Sequence, residues 1–256
     1  MLSLQNKITV NSLSDLGFSI RNSFLLDGSN EYFNIDDALT PIASDQYGTW
    51  LGVIKPIDAT PAGTEILISF SDTSANENLQ LYITSDGKLN IFYRIAGVSK
   101  FLISTDAAAF TDNTWASFAI VQDRVLPVLY VDGVAPAQST IISGNTTVWI
   151  SPGTGLDNGR IGCRQYNGGA NEMFFNGYIN QIALLNDDLS AAQVLDWHNS
   201  LKPKNAQAEF SSITAFMFNP DSSGNTAEFT VTDSINSITA VSVNFEDADK
   251  QPINPY

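Results

Sequence analysis

The sequence predicts an all-β, concanavalin A-like jelly-roll sandwich of two antiparallel sheets, with one short C-terminal helix and a small β-rich tail. Three observations predict the β architecture. Short runs of β-branched and aromatic residues recur along the chain, separated by turn residues. Three Asp-Gly pairs, Asp27-Gly28, Asp86-Gly87 and Asp132-Gly133, lie next to or between apolar runs, where both turn residues must tolerate positive φ. Helical spacing with a clear start signal appears only late, after Leu189.

Taken in order, residues 1–20 are mixed and weakly periodic and read as an N-terminal arm. FLLDGSNEYFNI then reads as two strands joined in a hairpin at Asp27-Gly28. QYGTWLGVIKP is a strand closed by Pro56, and ILISF is the next. In LQLYITSDGKLNIFYRI, Leu79, Leu81 and Ile83 alternate with Gln80, Tyr82 and Thr84, so one face is expected to be buried and the other wet. WASFAIVQD, VLPVLYVDGVAP and RIGCRQY add strands, and Phe174 to Leu185 forms the last one of the sandwich.

The helix follows at once. Ser190 at the N-cap and Gln193 three residues on can satisfy each other's free backbone N–H groups, and Leu189 with Val194 is placed to close a hydrophobic staple. Val194, Trp197 and Leu201 share one face, and Pro203 stops the helix. The reading is one domain over 21–201 and a C-terminal extension over 202–256. In that extension SSITAFMF, AEFTVT and SITAVSVNF look like strands of a small appendage, packed on the sandwich or on a partner.

Composition narrows the function. With 43% apolar and 15% charged residues the chain is folded and not disordered. A net charge of −15 and the lack of a basic patch argue against nucleic acid as a partner. No apolar run reaches the length of a membrane span, and the N-terminus lacks the basic and apolar regions of a secretory signal. If Met1 is the true start, the protein is expected to be made in the cytoplasm and not exported by the general secretory route. A single cysteine, Cys163, excludes an internal disulfide and reads as a small buried hydrophobe; its only histidine partner would be His198.

Catalytic patterns are missing. The densest carboxylate run, Glu246-Asp247-Ala248-Asp249, lies in the tail and reads as a solvated turn. There is no Gly-x-Ser-x-Gly, and the glycine-rich stretch Gly153 to Gly159 lacks the strand-to-helix setting of a phosphate loop. A glycan site is the surviving reading. It needs an aromatic platform and hydrogen-bonding groups, which Tyr166 and Asn167 in a Gly-rich loop offer, with Trp149 as a second platform. The competing reading, which the residue types favour, makes Trp149 and Trp50 core residues and Tyr166 the cap of a loop.

FLLDGSNEYFNI, TWLGVIKP, SDGKL, WASFAIVQD with VLYVDG, GRIG and FFNGYINQIALLNDDLSAAQV occur in the order seen in laminin-G-like domains. From Phe24 to about Asn199 the chain therefore resembles the laminin-G-like branch of the concanavalin A-like lectin/glucanase superfamily. The resemblance implies the two-sheet jelly roll. It also implies a candidate structural calcium site at Asp27 and Asn180, weakened because Asn180 stands where relatives often carry Asp. Glucanases of that superfamily carry Glu-x-Asp-x-x-Glu on one strand, and this chain has no such string.

The tail, ITAFMFNPDSSGN…FTVTDSINS, is similar to the ends of bacteriophage particle proteins that carry this domain. The expectation is a non-catalytic structural or decoration subunit of a phage head or tail, present in many copies and contacting other virion proteins through 1–20 and 201–256. The alternative is a carbohydrate-binding module for cell-surface or environmental glycans.

Overall fold

The computed structural model describes residues 22–199, 209–210, 214–220, 229–233 and 236–252. The N-terminal arm, Leu201 and Pro203 lie outside the described residues. The first strands are β1 (Ser23–Asp27), β2 (Tyr32–Asn34), β3 (Gly48–Pro56), β4 (Glu65–Ser71), β5 (Asn78–Ile83), β6 (Leu89–Ile95) and β7 (Val98–Thr105). They continue with β8 (Ala116–Gln122), β9 (Val128–Val131), β10 (Gln138–Ser143), β11 (Asn158–Ile161), β12 (Arg164–Gln165), β13 (Asn171–Glu172) and β14 (Asn176–Leu185). The tail supplies β15 (Thr214–Phe218), β16 (Thr230–Thr232), β17 (Thr239–Val243) and β18 (Lys250–Gln251). The described helical elements include one turn, α1 (Leu39–Ile42), which the residue pattern does not announce, the late helix α2 (Ala191–Asn199) and 3-10 turns at Asp36–Ala38 and Asp247–Asp249.

Two large antiparallel sheets form the sandwich. One runs β18-β1-β14-β3-β8-β9, with β15 also paired to β14, and the other runs β10-β7-β6-β5-β4-β11-β2-β17-β16. Between them Trp50, Phe70, Phe101, Phe118, Leu79, Leu81 and Ile179 are at most 1% exposed. The Asp86-Gly87 pair closes a true hairpin between β5 and β6, with Gly87 at φ 77.

The Asp27-Gly28 turn behaves differently from the expected hairpin. β1 pairs with β14 and β18, whereas β2 pairs with β11 and β17, so the turn carries the chain from one sheet to the other. An Asp-Gly dipeptide specifies the reversal, but the pairing partner is chosen by which apolar face each strand buries. Asp132-Gly133 likewise reverses the chain, and the next strand, β10, belongs to the opposite sheet.

The tail strands are threaded into both sheets. Their aromatics fill one end of the core: Phe218 lies 4.7 Å from Phe33, Phe229 lies 4.9 Å from Phe24, and Phe245 lies 4.8 Å from Phe33. These are ring-centroid distances typical of edge-on and tilted aromatic packing. Of the two places the sequence leaves open for the extension, its described strands take the sandwich.

Candidate functional site

The two sheets turn very different outer faces away from the shared core. On the seven-stranded sheet the outward positions of β3, β8 and β14 are Leu51, Val53, Ala119, Val121, Ala183 and Leu185. Helix α2 lays Val194 and Trp197 on them, with Leu189 and Phe210 at the edge. The start signal forms as expected: Ser190 N donates to Gln193 Oε1 at 2.9 Å and Gln193 N donates to Ser190 Oγ at 3.3 Å.

A polar clasp at the helix end was not legible in sequence. Ser117 Oγ lies 2.8 Å from His198 Nδ1, Asp132 Oδ1 lies 3.9 Å from the same nitrogen, and Asp132 Oδ1 also accepts the Ser117 N–H. A nucleophilic relay needs the imidazole to bridge its two partners with different nitrogens. Here both partners meet Nδ1, so the group fastens α2 to β8. Cys163 is buried against the other sheet, where its backbone carbonyl accepts Ser69 Oγ, and burial pushes its thiol up to about 12. The structure thus keeps Cys163 and His198 apart.

The outward face of the nine-stranded sheet is polar. Alternation opposite the core places Ser69 and Ser71 of β4, Asn78, Gln80 and Tyr82 of β5, and Asn90, Phe92 and Arg94 of β6 on it. Arg160 of β11 extends the row from Ser69. This face was expected to be wet, yet Gln80 is only 6% exposed. The cover is a hairpin made by β12 and β13 that lies over β4 and β11. Arg164 reaches down to Gln80 Oε1 at 3.0 Å and sideways to Glu172 at 2.9 Å. Arg160 binds Asp36 and Gln165, and the hairpin tip is held by Tyr166 Oη donating to Ala75 O and by Gly168 N donating to Thr73 O.

Beyond the hairpin the face stays open. Tyr82, Phe92 and Arg94 are half-buried there, as are Lys100 and Leu102 of β7, which point outward because Phe101 and Ile103 point into the core. Burial pushes the Tyr82 phenol up to about 12, with Arg164 acting in the opposite sense. At the end of the sheet the open face leads to a cleft of about 490 Å³ lined by Asp72, Asn76, Glu77, Ala96, Gly155 and Asp157, among others. Its carboxylates are engaged locally: Asp72 accepts Ser74 Oγ at 2.7 Å, Glu77 accepts Gly155 N at 2.8 Å, and Asp157 accepts Asn158 Nδ2 at 2.8 Å.

The residues singled out in sequence fall in three places. Tyr166 is half-buried and Asn167 exposed at the hairpin tip, beside the loop that lines the cleft, and the Arg164 guanidinium lies 5.0 Å from the Tyr166 ring centre. Trp149 is 1% exposed and packs 5.1 Å from Trp50, so it is a core residue with no ring face for a sugar. Its neighbours in TTVWISPG form a loop, and nothing local in such a stretch distinguishes a platform from a core plug.

Asp27 and Asn180 are not brought together. Asp27 pairs with Asn176 and Phe24 with Ile179, which leaves Asp27 and Asn180 about 13 Å apart along the strands. Asp27 Oδ1 accepts the N–H groups of Ser29 and Asn30, and Asn180 donates to Asn22 O. One carboxylate and one amide at that separation do not fit a single calcium ion. Among the described residues no cluster of three or more His, Cys, Asp or Glu side chains is arranged to hold a metal. Phe92, Arg94 and Lys100 of this open face were not singled out in sequence, although the alternation in LNIFYRI already places Asn90, Phe92 and Arg94 on one face.

Comparison with known proteins agrees with the fold. The family model for the concanavalin A-like lectin/glucanases superfamily, of laminin-G type, matches residues 27–195. No curated protein sequence matches the chain. Among solved structures the chain is similar to the CBM40 of Ruminococcus gnavus IT-sialidase bound to α2,3-sialyllactose, at 19% identity and TM-score 0.58, covering 71% of this chain and 100% of that one. It is similar to leech intramolecular trans-sialidase at 20% identity and TM-score 0.58, where 71% of this chain matches 27% of the enzyme. A pentraxin from Limulus polyphemus matches at 17% identity and TM-score 0.50, covering 73% and 88%. At these identities the likenesses speak for the fold. Among the described residues no helix is long and apolar enough to cross a membrane.

Proposed function

This chain belongs to the concanavalin A-like lectin/glucanases superfamily, and we propose that it is a non-catalytic glycan-binding sandwich carried on a bacteriophage particle. The observation that carries the glycan reading is the open half of the nine-stranded sheet, where half-buried Phe92 and Tyr82 lie among amide and cationic side chains. An aromatic ring offers a surface to the apolar face of a sugar, and neighbouring amides and guanidinium groups meet its hydroxyls. Tyr166 and Asn167 border this face at the hairpin tip and are the candidate contacts for a longer glycan.

Support for a binding and not a bond-breaking role comes from the same face. Ser69, Ser71, Asn78, Gln80, Asn90 and Arg160 hold its centre, and none of these is a carboxylate, whereas glycoside hydrolysis needs two opposed carboxyl groups. The particle reading rests on the tail's resemblance to phage proteins and on segments that flank the domain at both ends. Because the described tail strands are built into the sandwich, we assign contacts with other virion proteins chiefly to residues 1–20 and propose several copies per particle.

Two measurements test this. Incubating the intact chain with a glycan array is expected to give binding that weakens with Tyr166→Ala. Folded protein that binds no glycan would overturn the recognition role. Mass spectrometry of purified particles is expected to find the chain, and its absence from them would remove the virion role while leaving a free carbohydrate-binding module.

A further inference from the structure

Most cations among the described residues are spoken for. Lys88, Arg160 and Arg164 each face a carboxylate, and Lys55 and Arg124 lie over aromatic rings. Among the described residues Arg94 and Lys100 have neither kind of partner, and Arg94 Nε is buried with no hydrogen-bond acceptor. Both sit on the open half of the nine-stranded sheet. β6 and β7 pair there with a bulge that sets Arg94 opposite Ser99 and leaves Lys100 beside it. Neighbouring strands are about 4.8 Å apart, so one carboxylate can be reached by both side chains.

In a chain with a net charge of −15, two neighbouring cations with no carboxylate partner among the described residues make a local positive site that attracts an anion. The surroundings limit what that is. Phe92 is on the same strand and face as Arg94, two residues away, and pairs with Leu102, so the cations stand at the edge of an apolar and aromatic floor. The carboxylates of Asp72, Glu77 and Asp157 line the cleft beyond Arg94 and disfavour a polyanion running along the sheet.

We infer that the open face selects an acidic sugar, its ring on Phe92 and its single carboxylate held by Arg94 and Lys100. The inference rests on the glycan-binding reading above and adds the charge class and the two residues that read it. A guanidinium gives a carboxylate two parallel N–H donors, and the neighbouring Lys100 ammonium adds a third charge-assisted contact.

The test is calorimetric titration of the full chain with 3′-sialyllactose, galacturonic acid and lactose. At least one acidic probe is expected to bind about tenfold or more tightly than lactose. Added salt should weaken that difference, and Arg94→Gln or Lys100→Gln should abolish most of it without changing the melting temperature. Equal affinity for lactose, or unchanged affinity in both variants, overturns the acidic-sugar assignment while the glycan-binding reading stands. If none of the three probes binds and the glycan array is also blank, both fall. Binding to neutral glycans on the array but to neither acidic probe overturns this inference alone.

Discussion

The sandwich has two outward faces built from the same antiparallel ladder, and they meet their surroundings in opposite ways. Over β3, β8 and β14 the outward side chains are aliphatic, and a helix seals them. Over β4, β5 and β6 they are chiefly hydroxyls and amides with Tyr82, Phe92 and Arg94, and a short hairpin covers only half of them. Apolar area that would otherwise face water drives the first cover into place, at about 25 cal/mol per Å² removed from solvent. The second cover is held by charged and polar hydrogen bonds, each of which contributes much less on balance. The difference teaches where a β-sandwich can afford a site: the face whose side chains do not need covering is the one left free to bind.

The largest break in this comparison is expected from Trp197→Ala. It removes the main apolar contact of α2 and should cost about 3–5 kcal/mol, read as a lowered urea midpoint. A cost below 1 kcal/mol would mean that the helix is not what seals that face. Arg164→Ala should cost roughly 1 kcal/mol, since it removes the contact to Glu172 and one of the two hydrogen bonds to Gln80 Oε1, and hydrogen exchange should rise locally in 164–172 with the rest of the sheet unchanged. Uniform loss of protection across both sheets would instead make the hairpin part of the core and dissolve the distinction.

The smallest effect concerns carboxylates that serve neither face and set the baseline for both. Burial pushes Asp45 and Glu65 up to about 7, and burial with Asp249 nearby pushes Glu31 up to about 8. In the unfolded chain such groups titrate near about 4, so between these values the folded chain holds more protons. Their contribution to stability is therefore complete below about pH 4 and is lost as pH rises through about 7 to 8. Urea midpoints taken across that window should fall with rising pH, and Asp45→Asn should flatten the curve. A midpoint that rises across the window would contradict these protonation states.

Much of the fold was legible because it is written locally. Alternation in LQLYI set the core face of β5, Ser190 and Gln193 announced the helix start, and Asp86-Gly87 announced a hairpin. The site was legible only in part. Tyr166 and Asn167 were picked from composition and lie at the hairpin tip beside the open face, whereas Trp149 proved to be core because a buried and a sugar-facing tryptophan have the same local sequence. The pairing of Asp27 with Asn180 failed for a different reason: a resemblance supplies residue types, while strand register decides their separation.

By itself, then, the sequence determined which stretches become strands, which side of each is apolar and where helix α2 begins. These follow from side-chain period and backbone preference within a few residues. Only the tertiary structure decided that Asp27-Gly28 crosses between sheets, that the tail's Phe218, Phe229 and Phe245 complete the core, and that Arg94 and Lys100 become neighbours on the open face. Each of these depends on which strands become neighbours, and that choice is made by burying all the apolar faces at once, a global condition that no short stretch of chain contains.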